Sequence, residues 1–255
     1  MICLLSSSTF SFPKEQGRHN EDSMLPPLKL NHGYLMAIAD GVGSYAGASS
    51  ASAAAIEYLA SLPVDFFEGG NAVETIFKDI KDRVSSLTIR DPSYFNAATT
   101  LTFCYAGPTG LTIGHIGDCR VYLKNDRKLL QVTKDHTQHQ LLIDEGLYKA
   151  SELKNLSGKN TLFSAISKKT ELRFQEVFLS YNQICDADGG VNIILMSDGA
   201  YHSWESRPRF LESTLHDPSR FAANLKRRIE RMGPTDDCSL IAVRLTAKPQ
   251  LDLFD

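Results

Sequence analysis

The apolar runs of this chain repeatedly stop or start at an acidic residue, and that punctuation limits what it can fold into. Tyr34–Ala39 ends at Asp40-Gly41-Val42-Gly43, and Val191–Met196 ends at Ser197-Asp198-Gly199. Asp236-Asp237-Cys238-Ser239 opens a last apolar stretch. Asn20-Glu21-Asp22 and Gly117-Asp118-Cys119-Arg120 complete the set. A carboxylate beside a buried strand is costly to desolvate unless it is paired or binds a metal. Five such segments suggest one shared job, an oxygen-ligand site for hard divalent cations at strand ends.

Composition narrows the classes. The 255 residues suffice for one sizeable core, and 42% hydrophobic with 22% charged residues is ordinary for a globular protein. A formal net charge of -3 argues against a nucleic-acid partner bound by bulk phosphate neutralisation. The five cysteines are scattered with no CxxC pair, which fits a reducing compartment and offers no zinc framework. Cys104 and Cys238 read as small core residues. The first twelve residues have no basic n-region, and their apolar run is too short for a signal peptide or membrane span. They read as a first strand, with a cytoplasmic location and no membrane partner expected.

Along the chain, Tyr34–Ala39 predicts a buried strand. The Ala- and Ser-rich stretch 46–62, stopped by Pro63, predicts a helix packed closely on a sheet. Val73, Ile76, Phe77, Ile80, Val84 and Leu87 have the spacing of an amphipathic helix, with Asn71 as its cap. From Ala97 to Thr133 the chain reads as an antiparallel meander of strands 100–105, 110–116, 120–124 and 128–132. Residues 137–170 are polar and irregular and suggest a flap subdomain. A strand over 191–196, a helix over 219–232 and a closing strand over 238–245 follow. With no linker or repeat, the whole of 1–255 reads as a single domain. The expected fold class is α+β, two packed antiparallel sheets flanked by helices.

One bridging carboxylate can hold two ions about 3.5–4 Å apart, as in two-metal hydrolytic sites. Asp40 is the bridging candidate, and the glycine after it lets the Gly41 carbonyl turn towards a metal. Asp198 and Asp236 would complete the first ion.

These segments, in this order, resemble the metal-dependent protein serine/threonine phosphatases of type 2C. The resemblance runs from Gly17 to Val243. It rests on Asn-Glu-Asp at 20–22, Asp-Gly-Val-Gly at 40–43, Ala-Thr-Thr at 98–100 and Gly-Asp-Cys-Arg-Val-Tyr at 117–122. Thr-Lys-Asp-His at 133–136, Ser-Asp-Gly at 197–199 and Asp-Asp-Cys-Ser at 236–239 continue it. Any one tripeptide is weak, but seven in order are specific. The resemblance implies a four-layer α-β-β-α sandwich with the ions, Mn²⁺ or Mg²⁺, at one end between the sheets. It implies that Asp40 bridges them, that the Gly41 carbonyl binds the second, and that Asp198 and Asp236 bind the first. Glu21 and Asp22 would act through water, Asp118 would hold a third, weaker ion, and Asp237, where many members carry Asn, would stand behind the ligands. The implied reaction is direct attack of a metal-bridging hydroxide on phosphoserine or phosphothreonine. A cognate serine/threonine kinase would pair with it. The compact chain and Val42 match bacterial members.

The chain departs from the family pattern at several points. Gly17 stands where the family often has a phosphate-gripping Arg, and Arg18 lies one step closer to the Asn. In a strand that shift turns the side chain to the other face, so Arg18 needs a remodelled loop to reach a phosphate. Val42 replaces a His general acid of eukaryotic members, Cys119 replaces a Ser, and 44–48, Ser-Tyr-Ala-Gly-Ala, lacks the usual Glu. These departures sustain an alternative, an inactive pseudophosphatase that binds a phosphoprotein or kinase. A phosphatase for a small metabolite is a third reading. His136 and His139 are expected to hydrogen-bond locally, Trp204 to pack in the core, and the basic helix face around Lys226, Arg227, Arg228 and Arg231 to meet solvent.

Overall fold

Strands that are apolar on both faces need cover on both sides, and this chain supplies it in four layers. A computed structural model describes residues 2–43, 46–153, 156, 158 and 161–247. The chain runs through β1 (Ile2–Phe12), β2 (Asp22–Lys29), β3 (Tyr34–Asp40), α1 (Ala48–Ala60), α2 (Ala72–Arg90), β4 (Ala98–Thr99), β5 (Leu101–Ala106) and β6 (Gly110–Ile116). It continues through β7 (Arg120–Asn125), β8 (Lys128–Gln131), α3 (Gln138–Asp144), α4 (Ala150–Leu153), β9 (Ile166–Ser167), β10 (Gln175–Ser180) and α5 (Tyr181–Ile184). It closes with β11 (Gly190–Met196), α6 (Asp198–Glu205), α7 (Glu212–His216), α8 (Pro218–Met232) and β12 (Cys238–Ala247).

Two five-stranded antiparallel sheets result, ordered β1-β12-β11-β7-β8 and β10-β6-β5-β3-β2. The two-residue side-chain period explains the layering. In β3, Leu35, Ala37 and Ala39 face the core under α1 and α2, while Met36 and Ile38 face the other sheet. In β12, Ile241, Val243 and Leu245 face the first sheet's partner, while Leu240 and Ala242 pack under α6 and α8. The α+β four-layer expectation therefore holds.

The helices follow their sequence signals. The six residues of the apolar stripe of α2, Val73, Ile76, Phe77, Ile80, Val84 and Leu87, are buried. Ala48, Ala51 and Ala55 of α1 are buried, and their small side chains bring the helix backbone close to the sheet. Asp217 caps α8, accepting from the Ser219 and Arg220 N–H groups, with Pro218 in the first turn. Asn71 sits at the start of α2 in the left-handed region (φ 59°) but makes no side-chain cap bond. Among the described residues, no helix is long and apolar enough to cross a membrane.

The expected meander is corrected. β5 pairs with β6 and β7 with β8, but β6 and β7 belong to different sheets. The crossing is made at Gly117-Asp118-Cys119. Gly117 has φ +111°, and a Cβ there would overlap the Thr100 side chain. A meander turn would have left Asp118 at a hairpin tip, whereas the crossing sets it between the sheets. Part of the 137–170 segment is also more regular than expected, with α3, α4 and β9 in it. Residues 154, 155, 157, 159 and 160 of that segment, and 44 and 45 of the 44–48 departure, lie outside the described residues.

Gly117→Ala adds both a clash and a left-handed conformation. It is expected to lower unfolding free energy by about 2–4 kcal/mol. Urea unfolding checks this, with a lower midpoint at unchanged slope.

Candidate active site

The carboxylates are placed by backbone geometry at one end of the sandwich. Asp40 is the last residue of β3. Its N–H donates to Thr100 Oγ1 (3.0 Å), and its carbonyl accepts from Thr100 N–H (2.8 Å) and Thr99 Oγ1 (3.0 Å). The Ala98-Thr99-Thr100 motif is thus a clamp on the aspartate. The Gly41 N–H donates to the Glu21 carbonyl (3.2 Å). A Cβ on Gly41 would stand 2.7 Å from the Ala48 backbone, so the close approach of α1 requires glycine.

The other acidic segments join through side chains. Asp22 pairs with Asp40 across β2 and β3. Ser197 Oγ donates to Asp22 Oδ2 (2.8 Å) and accepts from the Ser239 N–H (2.9 Å), tying β2 to the ends of β11 and β12. Asp237 accepts from the Lys14 N–H (2.8 Å) and the Glu21 N–H (2.6 Å). It anchors the stretch that carries Lys14 and Glu21. Asp198 is the first residue of α6.

A cavity of about 330 Å³ opens there. Arg18, Glu21, Asp40, Gly41, Asp118, Asp198 and Asp236 all line it, so it gathers every candidate from the sequence except Asp22. Asp22 is buried and linked to the site through Ser197. Thr100 of the Ala-Thr-Thr motif also lines the cavity, as do Lys14 and Leu162, which no sequence motif marks. Lys14 has no motif of its own; its only sequence signal is position, four residues before Arg18. Strand alternation does not govern Arg18. It lies in a turn closed by its N–H on the Glu15 carbonyl (3.1 Å), between β1 and β2.

Burial and mutual repulsion push these carboxyl groups upward. Asp118 rises to about 8, from burial first and then the charges of Asp198 and Asp135. Asp22 rises to about 7, from burial first, with Asp198 and Asp237 adding to it. Asp198 rises to about 6, from burial and then Asp236. Asp40 is raised well above the usual range by burial and by Asp22, Asp198 and Asp118. Glu21 is raised too, by burial and then Asp237.

The residues fit a hard divalent cation. Asp22 Oδ1 is buried without a hydrogen-bond partner among the described residues. The donor set is all oxygen, the type Mg²⁺ and Mn²⁺ prefer. Among the described residues, no three His, Cys, Asp or Glu side chains already converge as the ligands of one ion. Such ions keep several waters, so a site completed by water suits this arrangement.

Beside the cavity lies a paired network. The Arg120 guanidinium donates to Asp135 from Nε (2.9 Å) and Nη2 (2.6 Å) and from Nη1 to Glu205, and stacks over the Tyr201 ring at 3.7 Å. It fixes β7, two residues after Asp118, against α6, which begins with Asp198. His136 serves locally, its Nδ1 accepting from the Gly117 N–H (3.2 Å). Trp204 is buried among Phe210 and Phe221.

A two-sheet sandwich with an acidic cavity at one end is an arrangement suited to holding hard divalent cations. Comparison with known proteins narrows it. The profile of the Protein phosphatase 2C family matches residues 14–243. The chain belongs to that family. It is 32% identical over 152 residues to the serine/threonine protein phosphatase PstP of Mycobacterium tuberculosis, a match that covers 58% of this chain and 28% of that protein. A crystal structure of the Mycobacterium tuberculosis PstP/Ppp phosphatase superposes with a TM-score of 0.76 at 25% identity, covering 96% of this chain and 100% of that one. The PstP catalytic domain in complex with two manganese ions superposes with a TM-score of 0.69 at 26% identity, covering 96% and 100%.

The raised carboxyl groups set a pH dependence for the metal-free protein. Their folded values exceed the unfolded value of about 3.9. The folded state then holds protons that the unfolded state has released, so the contribution is fully present below about pH 4. It is lost as pH rises through about 6, 7 and 8, for Asp198, Asp22 and Asp118. In EDTA the melting temperature should therefore fall from pH 5 to pH 8, and Asp22→Asn should flatten that slope. Differential scanning fluorimetry across pH checks it.

Proposed function

We propose that this chain is a metal-dependent phosphatase for phosphoserine and phosphothreonine in proteins. The observation that carries the reading is one cavity lined by Asp40, Asp118, Asp198 and Asp236 together with the cations Lys14 and Arg18. Asp40 would bridge two Mn²⁺ or Mg²⁺ ions, Asp198 and Asp236 would hold the first, and the Gly41 carbonyl the second. Glu21 and Asp22 would act through water, and Asp118 would hold a weaker third ion. When bound, the ions supply Lewis acidity, which activates water and neutralises the phosphoryl oxygens.

The chain's own residues do the rest. Lys14 and Arg18 carry positive charge at the cavity wall, where a phosphate dianion is drawn in and oriented. Val42 lines the cavity and has no proton to give, so the leaving oxygen would take its proton from water or from another residue. The Thr99–Thr100 clamp holds Asp40 in place against its charged neighbours. Leu162 on the wall supports a flap role for 137–170, which would shape substrate choice within a single catalytic domain. The five free cysteines fit a reducing cytoplasm, and the partner set would include a cognate kinase. The pseudophosphatase alternative is less well supported, because Glu21, Asp40, Asp118, Asp198 and Asp236 line one cavity.

Hydrolysis of p-nitrophenyl phosphate and of a phosphothreonine peptide should require added Mn²⁺. Asp236→Ala should lower kcat/KM by about a hundredfold or more. Arg18→Ala should raise KM with kcat less affected, the split expected of a group that binds phosphate. A wild-type protein that melts higher with Mn²⁺ yet hydrolyses neither substrate would move the assignment to the binding module.

A further inference from the structure

A second cavity, of about 690 Å³, lies beside the C-terminal half of α8. Its walls include Ser206, Arg207, Phe210, Arg227, Arg231 and Met232. This is the basic helix face expected to meet solvent, and the fold gives it an opposing wall, the segment that leaves α6. Arg228 builds that wall. Its guanidinium donates to the carbonyls of Arg207 (2.7 Å) and Arg209 (3.2 Å) and sits 4.3 Å from the Phe210 ring centre.

The remaining arginines are not used up by the fold. Arg207 and Arg227 are exposed, and among the described residues neither side chain has an ion pair or hydrogen bond. Among the described residues, Arg231 donates only to the Arg227 carbonyl (3.4 Å). Glu230, the carboxylate in the lining, lies 4.0 Å from Lys226. Burial lowers the pKa of Arg228, and the charges of Arg207 and Arg231 lower it further. Like charges around a concavity focus a field that draws anions. Met232, 57% exposed, adds an adaptable apolar contact at the rim.

We infer that this cavity docks an acidic segment, carrying an apolar anchor, of the phosphoprotein substrate. The inference rests on the phosphatase reading above. α6 starts at Asp198 in the carboxylate cavity and ends at Glu205, next to Ser206 in the basic one. Eight helical residues span about 12 Å. An extended substrate covers that distance in about four residues. Acidic residues four or more positions from the phosphorylated one therefore reach the arginines while the phosphate occupies the acidic cavity.

The test compares wild type with the triple variant Arg207→Gln, Arg227→Gln, Arg231→Gln, all at exposed positions. Three substrates are used: p-nitrophenyl phosphate, a phosphothreonine peptide with a distal Asp/Glu-Leu segment, and the same peptide with Asn and Gln in place of the acids. The variant should lose about tenfold in kcat/KM on the acidic peptide, through KM, and high salt should erase the wild-type preference. Activity on the other two substrates should stay unchanged. Equal rates on both peptides in wild type, or equal losses on all three substrates, would overturn the inference. If wild type hydrolyses none of them, the phosphatase reading fails separately. Fluorescence anisotropy of the labelled acidic peptide then decides docking: about tenfold weaker binding by the variant supports it, and identical binding overturns it. Capture of the protein by anionic vesicles through these arginines, without peptide binding, would reassign the surface to lipid.

Discussion

Like-charge crowding at the open end of the sandwich is the constraint on which the rest of this structure depends. Asp22, Asp40, Asp118 and Asp198 are held close enough to raise one another's pKa, in surroundings that already penalise charge. Nothing in the hydrophobic layering asks for this. It persists because each acidic segment is fixed by contacts it cannot easily leave: the threonine clamp on Asp40, the Ser197 bridge to Asp22, and the two N–H groups held by Asp237. Like-charge crowding held by an over-determined frame suits a site that binds a strong positive charge.

The layers make such a frame possible. Both sheets pack against helices on one face and against each other on the other, so the strand ends that carry the acidic residues grow out of buried stretches. Asp40 and Asp198 sit one residue beyond fully buried stretches, and Asp236 sits two residues before one. A small displacement of either sheet would move one half of the acidic set relative to the other. The Ser197 and Asp237 bonds cross between the sheets and oppose that displacement. The same side chains therefore serve the fold and the site.

How much of this could be read from the sequence follows the same physics. β3, β11 and β12 were legible because two-sided burial writes continuous apolar runs, and α2 because its apolar stripe has helical spacing. The acidic segments were legible because charge next to such runs demands a reason. β2 was not, since Pro26 and Pro27 argue against a strand; it is tolerated at a sheet edge, where a register shift between Leu25 and Leu28 absorbs the prolines. β10 is an edge strand too, half exposed and without a clear pattern. The sheet change at Gly117 is a tertiary decision: locally, β6 and β7 look like any hairpin. Lys14 and Asp237 gained their places through backbone contacts more than 200 residues apart in the chain.

Arg120 shows how the fold keeps its charges apart. It lies two residues from Asp118, close enough in sequence to neutralise it. β7 turns successive side chains to opposite faces, and Arg120 shares its face with Tyr122, under α6, away from the inter-sheet layer of Val121. There Asp135 and Glu205 take its guanidinium, and Tyr201 covers it. Arg120 lowers the Asp118 pKa only as a lesser influence, behind burial and two neighbouring carboxylates. Had the arginine turned inward, it would have paired with Asp118 and weakened the cavity's demand for an external cation. By pairing the arginine elsewhere, the strand leaves the cavity negative, and couples α6 mechanically to the corner that holds Asp118.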